Sequence, residues 1–99
     1  MKSGWGAKFS SSTKENLGGD YLNKDKDGNM HFPGFHPDAA KWLISERNIA
    51  GIGIDSGSLD YGLTKTFPTH VTILGANKYQ IENMKLDEVP AGQSCTFIS

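Results

Sequence analysis

His70 and Glu82 carry the side chains best placed to do chemistry. Imidazole nitrogen and carboxylate oxygen both ligate borderline divalent cations, and a catalytic zinc site needs about three such protein donors plus an open position for water. His70 falls near the start of a short predicted helix, residues 68–74, which opens on Pro68 and stops at Gly75. Glu82 falls on the next predicted strand, residues 78–83, where Tyr79 and Ile81 share one side and Gln80 and Glu82 the other. A helix packed on its own following strand can bring two such side chains to one point. Spacing alone favours a satisfied or solvated His70 over a ligand. Glu82, set beside Ile81, needs a cation or a hydrogen-bond network if it is buried.

Other candidates are weaker. Asn23, Asp25, Asp27 and Gly28 stand at the first, third, fifth and sixth positions of an EF-hand calcium loop. The closing glutamate is missing, because Gly34 holds that place, and Pro33 stands where a helix should leave. An ordinary surface turn is the better reading. Asp55-Ser56-Gly57-Ser58 follows a strand, a common place for a nucleophile, but its glycines are out of G-x-S-x-G register. Hydrogen-bonded loop residues are expected there. His31 and His36, on either side of Pro33-Gly34, read as turn and helix-start residues. Cys95 is the one cysteine, which excludes an intrachain disulfide and a cysteine zinc cluster and leaves a small core residue.

The elements that must position these residues can be read from the same string. Pro37 suits a first helical residue, Asp38 meets the helix dipole, and the run to Glu46 is mostly good helix formers. Arg47 and Asn48 suit its end, and Ala39, Trp42 and Leu43 are expected to share its buried face. Ile49–Ile54 alternates glycine and alanine with isoleucine, as in a buried strand approached closely by other backbone. Helix then strand across a tight turn is half of a β-α-β unit, so the sheet should be at least partly parallel. The Ser10–Thr13 run could cap a brief helix towards Tyr21 and Leu22, and Leu86–Val89 a helical turn. Cys95–Ile98 reads as a strand opening at the last residues, so the expectation is a single incomplete domain over 1–99.

Composition sets the outer bounds. Ten basic and eleven acidic side chains in 99 residues leave a net charge of −1, which gives no electrostatic case for nucleic acid or an anionic membrane as partner. Apolar residues at 36% and twelve glycines suit a loop-rich α/β piece or part of a larger fold. Residues 1–13 hold no apolar run of signal-peptide type, and no stretch reaches membrane-spanning length. A cytoplasmic chain is the default expectation.

Several stretches, in one order, resemble the cyclase family of metal-dependent hydrolases, which includes kynurenine formamidases and isatin hydrolases. Ser3-Gly4-Trp5 is similar to its T-G-W element, and Phe32-Pro33-Gly34 with Pro37 to Leu43 is similar to P-G-x-x-P-E-A-A-x-W-L. Gly53 to Asp60 resembles G-I-D-T-x-S-x-D. Phe67-Pro68-Thr69-His70, Leu74-Gly75-Ala76, Ile81-Glu82-Asn83 and Leu86-Asp87-Glu88 resemble F-P-x-H, L-G-A, I-E-N-L and L-D-E-L.

The resemblance implies an α/β fold with a mixed or barrel-like sheet, outer helices and homo-oligomeric assembly. It makes His70 and Glu82 the expected metal-contacting residues, with zinc or manganese activating water against an amide carbonyl. The implied substrate is an aryl formamide such as N-formylkynurenine or a cyclic amide such as isatin. The family's main signature, H-x-G-T-H-x-D-x-P-x-H, lies upstream of the T-G-W element and does not occur in this sequence. The chain by itself is therefore expected to show little or no hydrolysis. The alternative is a non-catalytic binding module that keeps the same sheet.

Overall fold

Proline and the left-handed conformation bracket the longest helix. In the computed structural model, which describes residues 1–11, 19–90 and 92, helix α2 spans Pro37–Arg47. His36 Nδ1 accepts from the Asp38 N–H at 3.2 Å, and Asn48 ends the helix at φ 44°. Before it come a 3-10 helix, Trp5–Ser11, and a single turn of helix, α1, Gly19–Leu22. After it come β1 (Gly51–Gly53), α3 (Pro68–Gly75) and β2 (Tyr79–Ile81). The expected capped helix from Ser10–Thr13 falls partly outside the described residues, and the strand expected at Cys95–Ile98 falls wholly outside them.

The two strands pair in parallel, with Gly51 opposite Tyr79, Ile52 opposite Gln80 and Gly53 opposite Ile81. Helix α3 makes the crossover between them, so the parallel pairing and the α/β class hold, although the β-α-β unit is β1-α3-β2 and not one that includes α2. Among the described residues both strands run the same way. The glycine at 51 is required by contact: a Cβ there would meet the Tyr79 carbonyl oxygen and ring Cδ2 at 2.5 Å. No helix among the described residues is long and apolar enough to cross a membrane.

The core collects side chains from α2, β1, α3 and the segment that follows β1. Ala40, Ile52, Ile54, Leu59 and Ile73 are buried together, with Phe35, Leu43, Ile44 and Ile49 packed around them. This corrects the expected face of α2. Ala40, Leu43 and Ile44 point inward, while Ala39 is exposed and Trp42 is 48% exposed. The i, i+3, i+4 stripe is present but starts one residue later. With that face turned inward Trp42 lies on the outer side, where its ring sits under the Arg47 guanidinium, 4.3 Å from the ring centroid.

The start of the chain is tied to the strand by one carboxylate. Asp55, 1% exposed, accepts from the Ser3 N–H at 2.9 Å, the Ser3 hydroxyl at 2.5 Å and the Gly4 N–H at 2.9 Å. Trp5 Nε1 donates to the Tyr21 carbonyl at 2.6 Å, which fixes the 3-10 helix against α1. Burial pushes the Asp55 carboxyl up, but the donors from Ser3 and Gly4 outweigh it and hold it below its ordinary value. A folded-state value below the unfolded one means stability that is fully present above the unfolded pKa. That stability is lost as pH falls through the lowered value. Resistance to urea unfolding is therefore expected to fall progressively below about pH 4, and Asp55→Asn should flatten that decline. Identical profiles for the two proteins would contradict this role.

Candidate functional site

Everything in the site hangs on the segment that leaves β1. Ile54 is buried in the core, and Ser56 donates its hydroxyl to the Pro33 carbonyl at 2.8 Å and the Ser58 carbonyl at 3.1 Å. That hydroxyl holds the loop together, as expected for a loop residue and not for a nucleophile. The chain then presents Leu59 and Asp60, both buried, to the next two elements.

Helix α3 begins without a cap of its own. Phe67 takes the N-cap position at φ 48° with no side-chain hydrogen bond, and Pro68 follows. The first N–H groups of a helix need acceptors. Asp60 supplies them from outside the helix: Oδ1 accepts from the Thr69 N–H at 2.7 Å and Oδ2 from the His70 N–H at 3.0 Å. The same Oδ2 lies 2.6 Å from His70 Nδ1. Burial pushes the Asp60 carboxyl up, but these hydrogen bonds, the His70 side chain foremost, bring it below its ordinary value.

His70 and Glu82 meet. Nε2 of His70 lies 3.0 Å from Oε1 of Glu82, and the two side chains are 23% and 28% exposed. Glu82 Oε1 also accepts from the Leu59 N–H at 2.9 Å, so neighbouring residues of one segment hold both members of the pair. Phe67 packs edge-on against the His70 ring, with centroids 5.9 Å apart. The pair closes the polar end of a cavity of about 340 Å³ whose other walls include Leu22, Met30, Phe32 and Phe67. A larger cavity of about 520 Å³, beside Tyr21, Asp55 and Met84, has no imidazole on its walls.

The donor set suits a divalent ion in type and in spacing. Two donors each about 2.1 Å from one ion stand about 3.0–3.4 Å apart, and this pair is 3.0 Å apart. Two donors fall short of a full metal site: among the described residues no three His, Cys, Asp or Glu side chains are grouped to hold a metal ion.

The remaining histidines are engaged elsewhere, one with a carboxylate and one with a helix start. His31 Nε2 lies 3.0 Å from Asp25 Oδ2, and His36 caps α2. Asp25 accepts from the Asp27 and Asn29 N–H groups at 2.9 Å each, within a hairpin bridged at Lys24 and Met30. The Asn23–Gly28 segment is thus the expected surface turn, with its central carboxylate already engaged.

The sequence profile of the Cyclase family, described as "Putative cyclase", matches residues 1–61. The chain belongs to the cyclase family. The match includes Asp55 and Asp60 and stops short of His70. Among curated relatives, this cyclase-family chain is 36% identical over 61 residues to the kynurenine formamidase of Bordetella petrii, covering 62% of the chain and 29% of that protein. To the kynurenine formamidase of Polaromonas naphthalenivorans it is 38% identical over 50 residues, 50% of the chain and 22% of that protein. The matched stretch is thus under a third of the length of these relatives. Isatin hydrolase A from Ralstonia solanacearum superposes with a TM-score of 0.68 at 31% identity, over 87% of this chain and 32% of that one. Isatin hydrolase A from Labrenzia aggregata bound to benzyl benzoate gives 0.66 at 29% identity, over 92% and 43%. The relatives named here are kynurenine formamidases and isatin hydrolases.

The sequence reading paired His70 with Glu82 and passed over Asp60. The available signal was the helix start: Phe67-Pro68 offers no capping side chain, so an acceptor had to come from elsewhere. The apolar walls of the cavity left no sequence signal, since Leu22, Met30, Phe32 and Phe67 come from three separate stretches.

Proposed function

We propose that this chain supplies the His70–Glu82 side of a divalent-metal centre in a hydrolase that cleaves amide bonds. The substrate class is an aryl formamide such as N-formylkynurenine or a cyclic amide such as isatin. The observation that carries the reading is the 3.0 Å approach of His70 Nε2 to Glu82 Oε1 at the polar end of an apolar-walled cavity. The names of the relatives support the substrate class. A zinc or manganese ion held there would make water a stronger nucleophile near neutral pH and polarise the amide carbonyl.

The residues of the chain have distinct parts in this reading. His70 and Glu82 hold the ion. Leu59 N–H and Asp60 keep them pointed at it. Phe32, Phe67, Leu22 and Met30 offer an apolar surface to an aryl ring and exclude bulk water around it. Two protein donors fall short of the usual three, so a working centre would need at least one more, and hydrolysis by this chain alone should be slight.

Zinc titration of the chain tests this directly. We expect weak, saturable binding that His70→Ala and Glu82→Ala each abolish. Unchanged binding in both variants would remove the assignment. The presence of only two donors among the described residues also favours a second reading, a non-catalytic binding module on the same fold. Metal binding without formamide or isatin hydrolysis, even when the remaining ligands are supplied on a longer chain, would favour that one.

A further inference from the structure

We infer that Asp60 is a positioning residue that selects the tautomer of His70, placing the ring proton on Nδ1 and leaving the Nε2 lone pair facing Glu82. The ligand role of Nε2 rests on the reading above; the tautomer assignment stands on geometry alone.

A neutral imidazole has one N–H to give, and two carboxylates compete for it. Asp60 Oδ2 is 2.6 Å from Nδ1, whereas Glu82 Oε1 is 3.0 Å from Nε2. Asp60 is 1% exposed and Glu82 28%, so water competes far less for the Asp60 oxygen. Glu82 Oε1 already receives the Leu59 N–H, which weakens its claim on a second proton. Asp60 cannot swing away, because both of its oxygens also receive backbone N–H groups of α3. Its carboxylate has no proton to offer, so the proton on that side must come from the ring.

The consequence is specific. With the proton on Nδ1, Nε2 and Oε1 face one another as two acceptors, an arrangement that a cation relieves. The carboxylate that starts the helix thereby also aims the ligand. A purely structural cap would hold Thr69 and His70 N–H without any effect on the ring.

Long-range 1H–15N NMR on the metal-free chain, at a pH where the ring is neutral, reads the tautomer. We expect a protonated Nδ1 and an unprotonated Nε2 in the wild type. A predominant Nε2–H form would overturn the proposal. Asp60→Ala should transfer the proton to Nε2, where Glu82 accepts it, and weaken zinc binding about 10–100-fold. Asp60→Asn, whose amide oxygen can still accept from the ring, should keep the Nδ1–H form. Should Asp60→Ala fail to fold, the wild-type and Asp60→Asn tautomers still decide. If Nδ1 is protonated but zinc leaves Nε2 unmoved, the tautomer assignment is upheld and the metal reading fails.

Discussion

Ile73→Ala should lower the unfolding free energy of the chain by about 2–5 kcal/mol. Ile73 is fully buried on the inner face of α3, among Ala40, Ile52, Ile54 and Leu59. Its removal takes apolar contacts from both α2 and β1 and leaves a cavity that a short helix held at both ends cannot collapse to fill. One end is fixed by Asp60, the other by the Lys78 N–H donating to the Ile73 carbonyl at 3.1 Å. Small domains are stable by only about 5–15 kcal/mol, so the variant should melt at a visibly lower temperature. Val71→Ala is the control: Val71 is 67% exposed on the opposite face, and its loss should shift stability by no more than about 0.5 kcal/mol. Equal losses in urea unfolding for the two variants would contradict the assigned faces.

Gly34→Ala should cost about 1–3 kcal/mol or more and disturb the site as well as the fold. A Cβ at position 34 would collide with the backbone of Asp60 and Tyr61 and come 2.6 Å from the Leu59 carbonyl oxygen. Backbone has nowhere to go here. Phe35 N–H is bonded to that same carbonyl at 2.7 Å, and Thr69 Oγ1 donates to the Phe35 carbonyl at 3.0 Å. Any retreat of residues 59–61 pulls the Leu59 N–H from Glu82 and Asp60 from His70. The expected result is therefore a joint loss of stability and zinc binding. Gly75→Ala should do the reverse, because nothing lies within 4 Å of a Cβ there. Alanine in a helix is favoured over glycine by about 0.5–1 kcal/mol. A neutral Gly34→Ala would show that the loop packing is softer than its contacts imply.

Much of the scaffold could be read from particular residues. Pro37 and Asn48 mark the ends of α2, Pro68 and Gly75 those of α3, and the glycine–isoleucine alternation marks β1. Each works through local backbone chemistry, which is why it is visible in the string. The approach of His70 to Glu82 follows from a helix and its succeeding strand. What stayed hidden depends on distance through space. Asp60 caps a helix that starts eight residues later, and Asp55 binds Ser3 and Gly4 across half the chain. The phase of α2 was misread because Ala39 and Ala40 are equally apolar and Trp42 looked like core. The indole remains at the surface, stacked on Arg47, because Ala40, Leu43 and Ile44 take the inner face.

One carboxylate starts α3 and also grips the imidazole beside it. Fraying of that first turn and dispersal of the ligand pair are thus a single opening event with a single free energy. Deuterium uptake at the Thr69 and His70 amides would time that event directly, residue by residue. A cation bound at Nε2 and Oε1 should slow both amides together, so that occupancy is written into the backbone's exchange clock.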